Sequence, residues 1–304
     1  MSQELENVRH DLDKALGGER LSVGETLARH CNWKVGGPAD LFFKAESREE
    51  LEVALKIARA HACPVTILGF GANVLVSDKG VRGLVILNRA ERLVFHPDFM
   101  VEVDSGTNLA FLARQAAKHG VGGLEFLIGI PGTVGGAVYG NAGTGSRWIS
   151  HILHETCLFT EESQELIVAN SEMDFRYRFS RLKGTGEVLL TAWLRGYDEN
   201  PAKVEQELQN QLDLRQNQPG GPSTGSVFMN PSGDYAGRLI EASGLKGQSV
   251  GGAKVSDMHA NFILNSGGAT AADIHELILF IQSSVEENFG VRLQEEIRYL
   301  GEFS

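Results

Sequence analysis

An α+β fold of two domains is what this sequence predicts, on three observations. A chain of 304 residues is long for one ordinary core and short for three large ones. Strand-like apolar runs and amphipathic helical stretches are mixed along it. Asn200-Pro201 opens a helix that ends near the Pro- and Gly-rich stretch 218–223, a strong boundary signal. The expected segments are a helical 1–29, a first domain over 30–199, and a second over 200–304 whose last strand returns to the functional site.

The elements follow in order. The charged, amphipathic start gives way to a glycine-rich turn at 35–38 and a strand over 40–44. Residues 47–60 read as a helix, with Ser47 as cap and Glu50 completing an S-x-x-E box. A strand at 65–68 runs into a glycine loop at 69–73, and further strand-like runs occupy 74–77, 81–88, 93–95 and 101–103. A helix spans 108–119 and closes at Gly120. Strands are expected at 153–160, 164–169 and 188–194. The helix after Pro201 puts Val204, Leu208 and Leu212 on one face. The last third holds a short helix at 235–242 capped by Asp234, a strand at 260–265, a long helix at 271–289 and a closing strand at 292–300.

Composition excludes several functions. The formal net charge of −11 repels nucleic acid and anionic membrane surfaces, so a phosphate-bearing ligand needs a local pocket. Cys31, Cys63 and Cys157 are an odd number without a C-x-x-C, which suits a reducing compartment. No stretch is apolar enough to span a bilayer, and the N-terminus has neither an h-region nor a twin arginine, so the cytoplasm is expected. His151, His154 and Glu155 form H-x-x-H-E, in neither metalloprotease order, and strand-like surroundings turn the two histidines apart; no metal is expected.

Clustered glycine is the unusual feature. L-G-F-G-A-N-V at 68–74 lacks the third glycine of a dinucleotide fingerprint, and a strand rather than a helix follows it. Such a loop can still present consecutive amides as an anion nest, or be no more than a tight turn. The stretch 123–143 is dense in glycine yet rich in Leu, Ile, Val and Phe, and it contains Pro131. A core strand would avoid the glycines and proline, and a surface linker would avoid the apolar residues. Backbone packed on a flat, apolar, partly anionic ligand accommodates both, and FAD is such a ligand.

The segments G-F-G-A-N-V-L-V-S-D (69–78) and G-L-E-F-L-I-G-I-P-G-T-V-G-G-A-V (123–138) resemble the PCMH-type FAD-binding domain of the vanillyl-alcohol-oxidase group. Within that group the chain is most similar to the bacterial UDP-N-acetylenolpyruvoylglucosamine reductases. R-Y-R-F-S (176–180), G-S-V-F-M-N-P (225–231), A-G-R-L-I-E-A-S-G-L-K-G (236–247), H-A-N-F-I-L-N (259–265) and L-Q-E-E-I-R-Y-L-G (293–301) continue the likeness in order. Residues 156–181 are too few for an inserted tyrosine-bearing loop, so the chain resembles the shorter second type.

The resemblance implies a two-part flavin domain followed by an α+β substrate-binding domain. It implies non-covalent FAD, reduced by NADPH, delivering hydride to the enolpyruvyl β-carbon of UDP-N-acetylglucosamine enolpyruvate to give UDP-N-acetylmuramate for peptidoglycan. These small molecules are the expected partners, the protein being a monomer without nucleic acid or membrane. The flavin would lie on Gly69, Phe70, Gly71, Ala72, Asn73 and Val74, on Gly129, Ile130, Pro131, Gly132, Thr133, Gly135 and Gly136, and on Asn141, Ala142 and Gly143. Ser226 matches the proton-donating serine, Arg178 the arginine that stabilises charge on the substrate carboxylate, and Glu296 the tail glutamate. Glu295 is the rival to Glu296; a strand turns neighbours to opposite faces, so one alone enters the site, and the motif register favours Glu296. Tyr177, Asn230 and Lys254 are expected at the substrate, and His259 and Asn261 either support it or satisfy backbone groups.

Some positions depart from the family pattern. Met229 stands where a lysine commonly holds the diphosphate, so Lys254, Lys246, Arg238 or Arg215 substitutes or affinity is low. Phe70 occupies a usual glycine, and the third loop reads N-A-G-T-G-S at 141–146. A nucleotide-binding module without catalysis would have lost Ser226, Arg178 or Glu296, and all three are present. An oxidase of the wider group would tether its flavin through His or Cys, and 69–77 contains neither.

Overall fold

The computed structural model describes residues 3–216 and 218–303. Met1, Ser2, Asn217 and Ser304, which fall in the expected first and last segments, lie outside the described residues. Helix and strand are mixed as expected, and the chain divides into two units. The units are discontinuous: Met1–Ser22, Phe42–Gly69 and Leu84–Gln216 form one, and Val23–Leu41, Phe70–Gly83 and Asn217–Ser304 the other. They therefore do not follow the contiguous ranges 30–199 and 200–304. The expected helical 1–29 is an α-helix only over Gln3–Leu16; the 3-10 turn Gly18–Arg20, the short strand Leu21–Val23 and the 3-10 turn Leu27–His30 follow.

The first unit is built on a five-stranded antiparallel sheet in the order Glu165–Ala169, Leu153–Phe159, Val188–Arg195, Met100–Asp104, Leu93–Phe95. The helix Leu109–Lys118 starts where the Asn108 side chain accepts from the Phe111 amide at 2.9 Å, and it buries Leu109, Leu112, Ala113 and Ala116 with Val101, Val103 and Leu194. Pro201–Asp213, capped by Asn200 accepting from the Ala202 amide at 2.9 Å, buries Val204 and Leu208 in that same core. Its apolar face is the reason this helix belongs here and not with the C-terminal residues. Arg48–Ala60 follows the Ser47 cap, whose hydroxyl accepts from the Glu50 amide at 3.2 Å. The Glu50 carboxylate closes instead on the Glu46 amide and on Arg20.

The second unit packs Ala236–Ala242 and the long helix Ala271–Phe289 around Trp33, Leu75, Val227, Phe228 and the small sheet Ser249–Val250, Ala253–Val255, Ile263–Asn265. A reciprocal cap starts the long helix: Thr270 accepts from the Asp273 amide and Asp273 from the Thr270 amide, while Asp78 accepts from Ala271 and Ala272. Gly290 at φ 67° ends it. The closing strand is only Arg298–Leu300, paired in parallel with Val74–Val76. The expected strand at 260–265 is likewise shorter, and His151 sits on the helical turn Ile149–Ile152 rather than in a strand. All three cysteines are buried and free; burial pushes the Cys31 thiol up to about 12 and the Cys157 thiol to about 11. Among the described residues no helix is long and apolar enough to cross a membrane, and no His, Cys, Asp and Glu cluster could hold a metal.

Candidate active site

In the second unit the loop that carries Ser226 is held as extended backbone between two neighbours. Gly225, at φ 78°, makes the turn into it, a conformation costly for any residue with a Cβ. Ser226 then bridges to Phe262, and the Val227 amide donates to the Asn261 carbonyl at 2.9 Å. On the other side Phe228 bridges Glu295, the Met229 amide donates to Gln294, and the Glu296 amide donates to the Val227 carbonyl at 2.8 Å. Ser226 and Glu296 thus stand on adjacent segments of one hydrogen-bonded scaffold. Val227 and Phe228 are fully buried and anchor it.

Asn261 locks that scaffold from within. Its Oδ1 accepts from the Phe228 amide at 2.9 Å and its Nδ2 donates to the Phe228 carbonyl at 2.8 Å, all in a buried setting. The side chain imitates a strand partner, so the alternative in which Asn261 satisfies backbone groups is the one the structure displays. The Asn230 oxygen accepts from the Ala236 amide at 3.0 Å and so caps Ala236–Ala242, a role expected of Asp234, which accepts from Tyr235 and pairs with Arg238. His259 accepts from the Asn261 amide through Nδ1, and burial holds its imidazole below the usual histidine range. Glu295 lies beside Tyr299, raising that phenol after the larger effect of burial, and so is turned towards the His275–Tyr299–Phe303 aromatic cluster.

The first glycine loop runs through this unit from Phe70 to Val74. A Cβ on Gly71 would lie 2.2 Å from the His30 carbonyl oxygen, so the loop closes tightly on 30–31. The amides of Gly71, Ala72 and Asn73 donate to no protein acceptor among the described residues. Three successive amides of that kind fit a diphosphate. The Asn73 side chain is directed elsewhere: Nδ2 donates to the Glu296 carbonyl at 3.1 Å, and its own carbonyl accepts from Arg298.

In the first unit Gly69 meets the second glycine stretch. A Cβ there would sit 2.8 Å from Thr133 Oγ1. Thr133 caps Val134–Tyr139 by accepting from the Gly136 amide, while the Val134 and Gly135 amides donate to Thr107 and Ser105. The Gly135 and Gly136 amides are therefore spent on protein, and a Cβ on Gly135 would lie 3.0 Å from the Ser105 carbonyl oxygen. Gly129 makes room for Arg215, whose Nε a Cβ would approach to 2.5 Å. Arg215 is half-buried; burial, and after it the charge of Arg178, hold its guanidinium below the usual arginine range. No ion pair to Arg215 occurs among the described residues, and its guanidinium lies near enough to Arg178 to feel that charge. Lys254, Lys246 and Arg238, the other stand-ins for the Met229 lysine, are paired with Asp257, Glu241 and Asp234.

Arg178 sits at the tip of a two-residue turn in which the Arg176 and Phe179 backbones exchange hydrogen bonds at 3.1 Å. Its φ is 55°, a left-handed conformation that costs a non-glycine residue about 1–2 kcal/mol. The guanidinium lies 5.4 Å from the Trp148 ring centre and 5.7 Å from that of Tyr177. Asn141, expected on the flavin, spends its buried amide on protein: Nδ2 donates to the Arg176 carbonyl at 3.0 Å and Oδ1 accepts from the Ser150 amide at 3.3 Å. Gly143 leaves space for Trp148, whose Cε3 a Cβ would meet at 2.7 Å. The proximity of Trp148 and of Arg215 to Arg178 was not legible in the sequence, because only the folded turns bring these side chains together.

Residues 39–162 match the FAD binding domain family and residues 215–300 match the UDP-N-acetylenolpyruvoylglucosamine reductase, C-terminal domain. The chain is 44% identical over 296 residues to the UDP-N-acetylenolpyruvoylglucosamine reductase of Moorella thermoacetica, covering 95% of this chain and 98% of that one. It is 38% identical to the Bacillus pumilus protein of the same name, covering 98% and 99%. The crystal structure of UDP-N-acetylenolpyruvylglucosamine reductase from Thermus caldophilus superposes with a TM-score of 0.80 at 34% identity, over 93% of this chain and 99% of that one. The chain belongs to the UDP-N-acetylenolpyruvoylglucosamine reductase family and carries its FAD-binding and C-terminal domains.

Proposed function

We infer that this protein reduces UDP-N-acetylglucosamine enolpyruvate to UDP-N-acetylmuramate in peptidoglycan synthesis, as an FAD-dependent oxidoreductase using NADPH. The observation that carries the reading is identity of 44% across 95% of the chain to a reductase of that name. Bound FAD supplies the two-electron chemistry between NADPH and the enolpyruvyl group. The flavin-binding role belongs to the loops at 69–74 and 129–143, with Gly71, Ala72 and Asn73 offering amides to the diphosphate. The C-terminal residues from 200 onward are assigned chiefly to the substrate, with Asn230, Lys254 and Tyr177 as its contacts.

The protein's own residues then act on the substrate. An enol ether accepts hydride poorly, so its carboxylate must be polarised and the developing enolate stabilised. Arg178 and Glu296 have that role, with Glu296 sharing a proton at the carboxylate. Ser226 delivers the proton to the α-carbon. A hydroxyl is a weak acid, but the carbanionic enolate is a strong base, and a serine on a rigid scaffold is positioned for the transfer. His259 and Asn261 support this loop. The same reading has the enzyme act in the cytoplasm as a monomer, and through the cell wall bear on cell shape and division.

The test is spectroscopic. Purified protein should be yellow and release free FAD on acid precipitation. Without oxygen it should bleach with NADPH and regain colour with UDP-N-acetylglucosamine enolpyruvate. Flavin retained on the pellet, or colour regained only with air, would count against the reading.

A further inference from the structure

We propose that Trp148 is a positioning residue for Arg178, holding the guanidinium over its indole face so that a strained turn presents it in one orientation. The inference rests on the role assigned to Arg178 above. A left-handed arginine at the tip of a two-residue turn needs its surroundings to fix it, since neither backbone nor a long side chain does so unaided. Two features supply this. Asn141, itself left-handed at φ 42°, ties the Arg176 carbonyl to the Ser150 amide and so links the turn to the segment that carries Trp148. The indole then lies 5.4 Å from the guanidinium carbon, edge-on to Tyr177 with ring centres 5.7 Å apart and planes at 85°. Gly143 is what admits the indole, because a Cβ there would collide with it.

The experiment uses the FAD-loaded enzyme reduced by NADPH and follows reoxidation by UDP-N-acetylglucosamine enolpyruvate. Trp148→Ala should slow this step by about 2- to 30-fold, the range of one cation–π contact, and Trp148→Phe should recover most of the loss. Binding of UDP-N-acetylmuramate to the oxidised enzyme, by calorimetry, should weaken in Trp148→Ala and in Arg178→Ala. In an Arg178→Ala background, Trp148→Ala should add nothing to either measurement. If Arg178→Ala is severe while Trp148→Ala is silent, or if the two losses multiply, Trp148 does not seat Arg178. If Arg178→Ala itself changes neither measurement, the role of Arg178 fails, and the seat with it.

Discussion

The turn that carries Arg178 and the loop that carries Ser226 are both irregular backbone pinned by a buried asparagine, one in each unit. They are pinned by different means. Asn261 spends both amide groups on one residue, Phe228, and the loop is further sewn to 294–296, so Ser226 is placed by main-chain pairing. Asn141 bridges two separate segments, and Arg178 beyond it is placed by rings and a left-handed φ. The difference suits the roles proposed for the two residues. A proton donor must keep its oxygen within a fraction of an ångström of a carbon, whereas a guanidinium meeting a carboxylate tolerates small shifts.

Asn261→Ala probes that difference most strongly. It strands the Phe228 amide and carbonyl in a buried setting, at about 1–3 kcal/mol for each unsatisfied group. Both the denaturant midpoint and the rate of reoxidation by substrate should fall. Trp148→Ala, by contrast, should lower the rate and leave the midpoint nearly alone. Equal midpoints for Asn261→Ala and the unmodified protein would dissolve the contrast.

His259 gives the smallest effect. Burial depresses its folded pKa below the ordinary 6.5, so the unfolded chain takes up the proton first as pH falls. The stability it contributes is present above 6.5 and is lost on acidification below it. His259→Gln should therefore lose less stability than the unmodified protein between about pH 7.5 and about pH 5.5, measured by denaturant midpoint. Equal losses would place the imidazole in a more solvated setting than its contacts indicate.

The regular elements were legible because their signals are local. Ser47, Asn108 and Asn200 cap helices where side-chain chemistry says they should, and Val204 with Leu208 declares an inward face. What that face packs against is not local, so the helix Pro201–Asp213 was expected with the C-terminal residues and lies in the other unit. The glycine stretches were legible as close approaches, but not what is approached: Gly129 admits Arg215 and Gly143 admits Trp148. Asparagines were hardest to read. Asn73, Asn141 and Asn261 all stand in motifs that point to ligands, yet each spends its amide on distant backbone. Between Glu295 and Glu296 the motif register was the guide; what the structure adds is that Glu295 lies beside Tyr299.

Placement of Ser226 for proton delivery is the central claim, and anaerobic stopped-flow absorbance of the two half-reactions tests it most directly. Bleaching by NADPH needs no proton on the sugar substrate, whereas recolouring does. Ser226→Ala should bleach at close to the unmodified rate and reoxidise with UDP-N-acetylglucosamine enolpyruvate ~10²–10⁴-fold more slowly, the usual cost of losing a positioned acid. Glu296→Gln should slow the same half-reaction, and Glu295→Gln should change little. If Ser226→Ala slows both halves equally, or neither, the serine is a structural member of its loop and the account of the site is wrong.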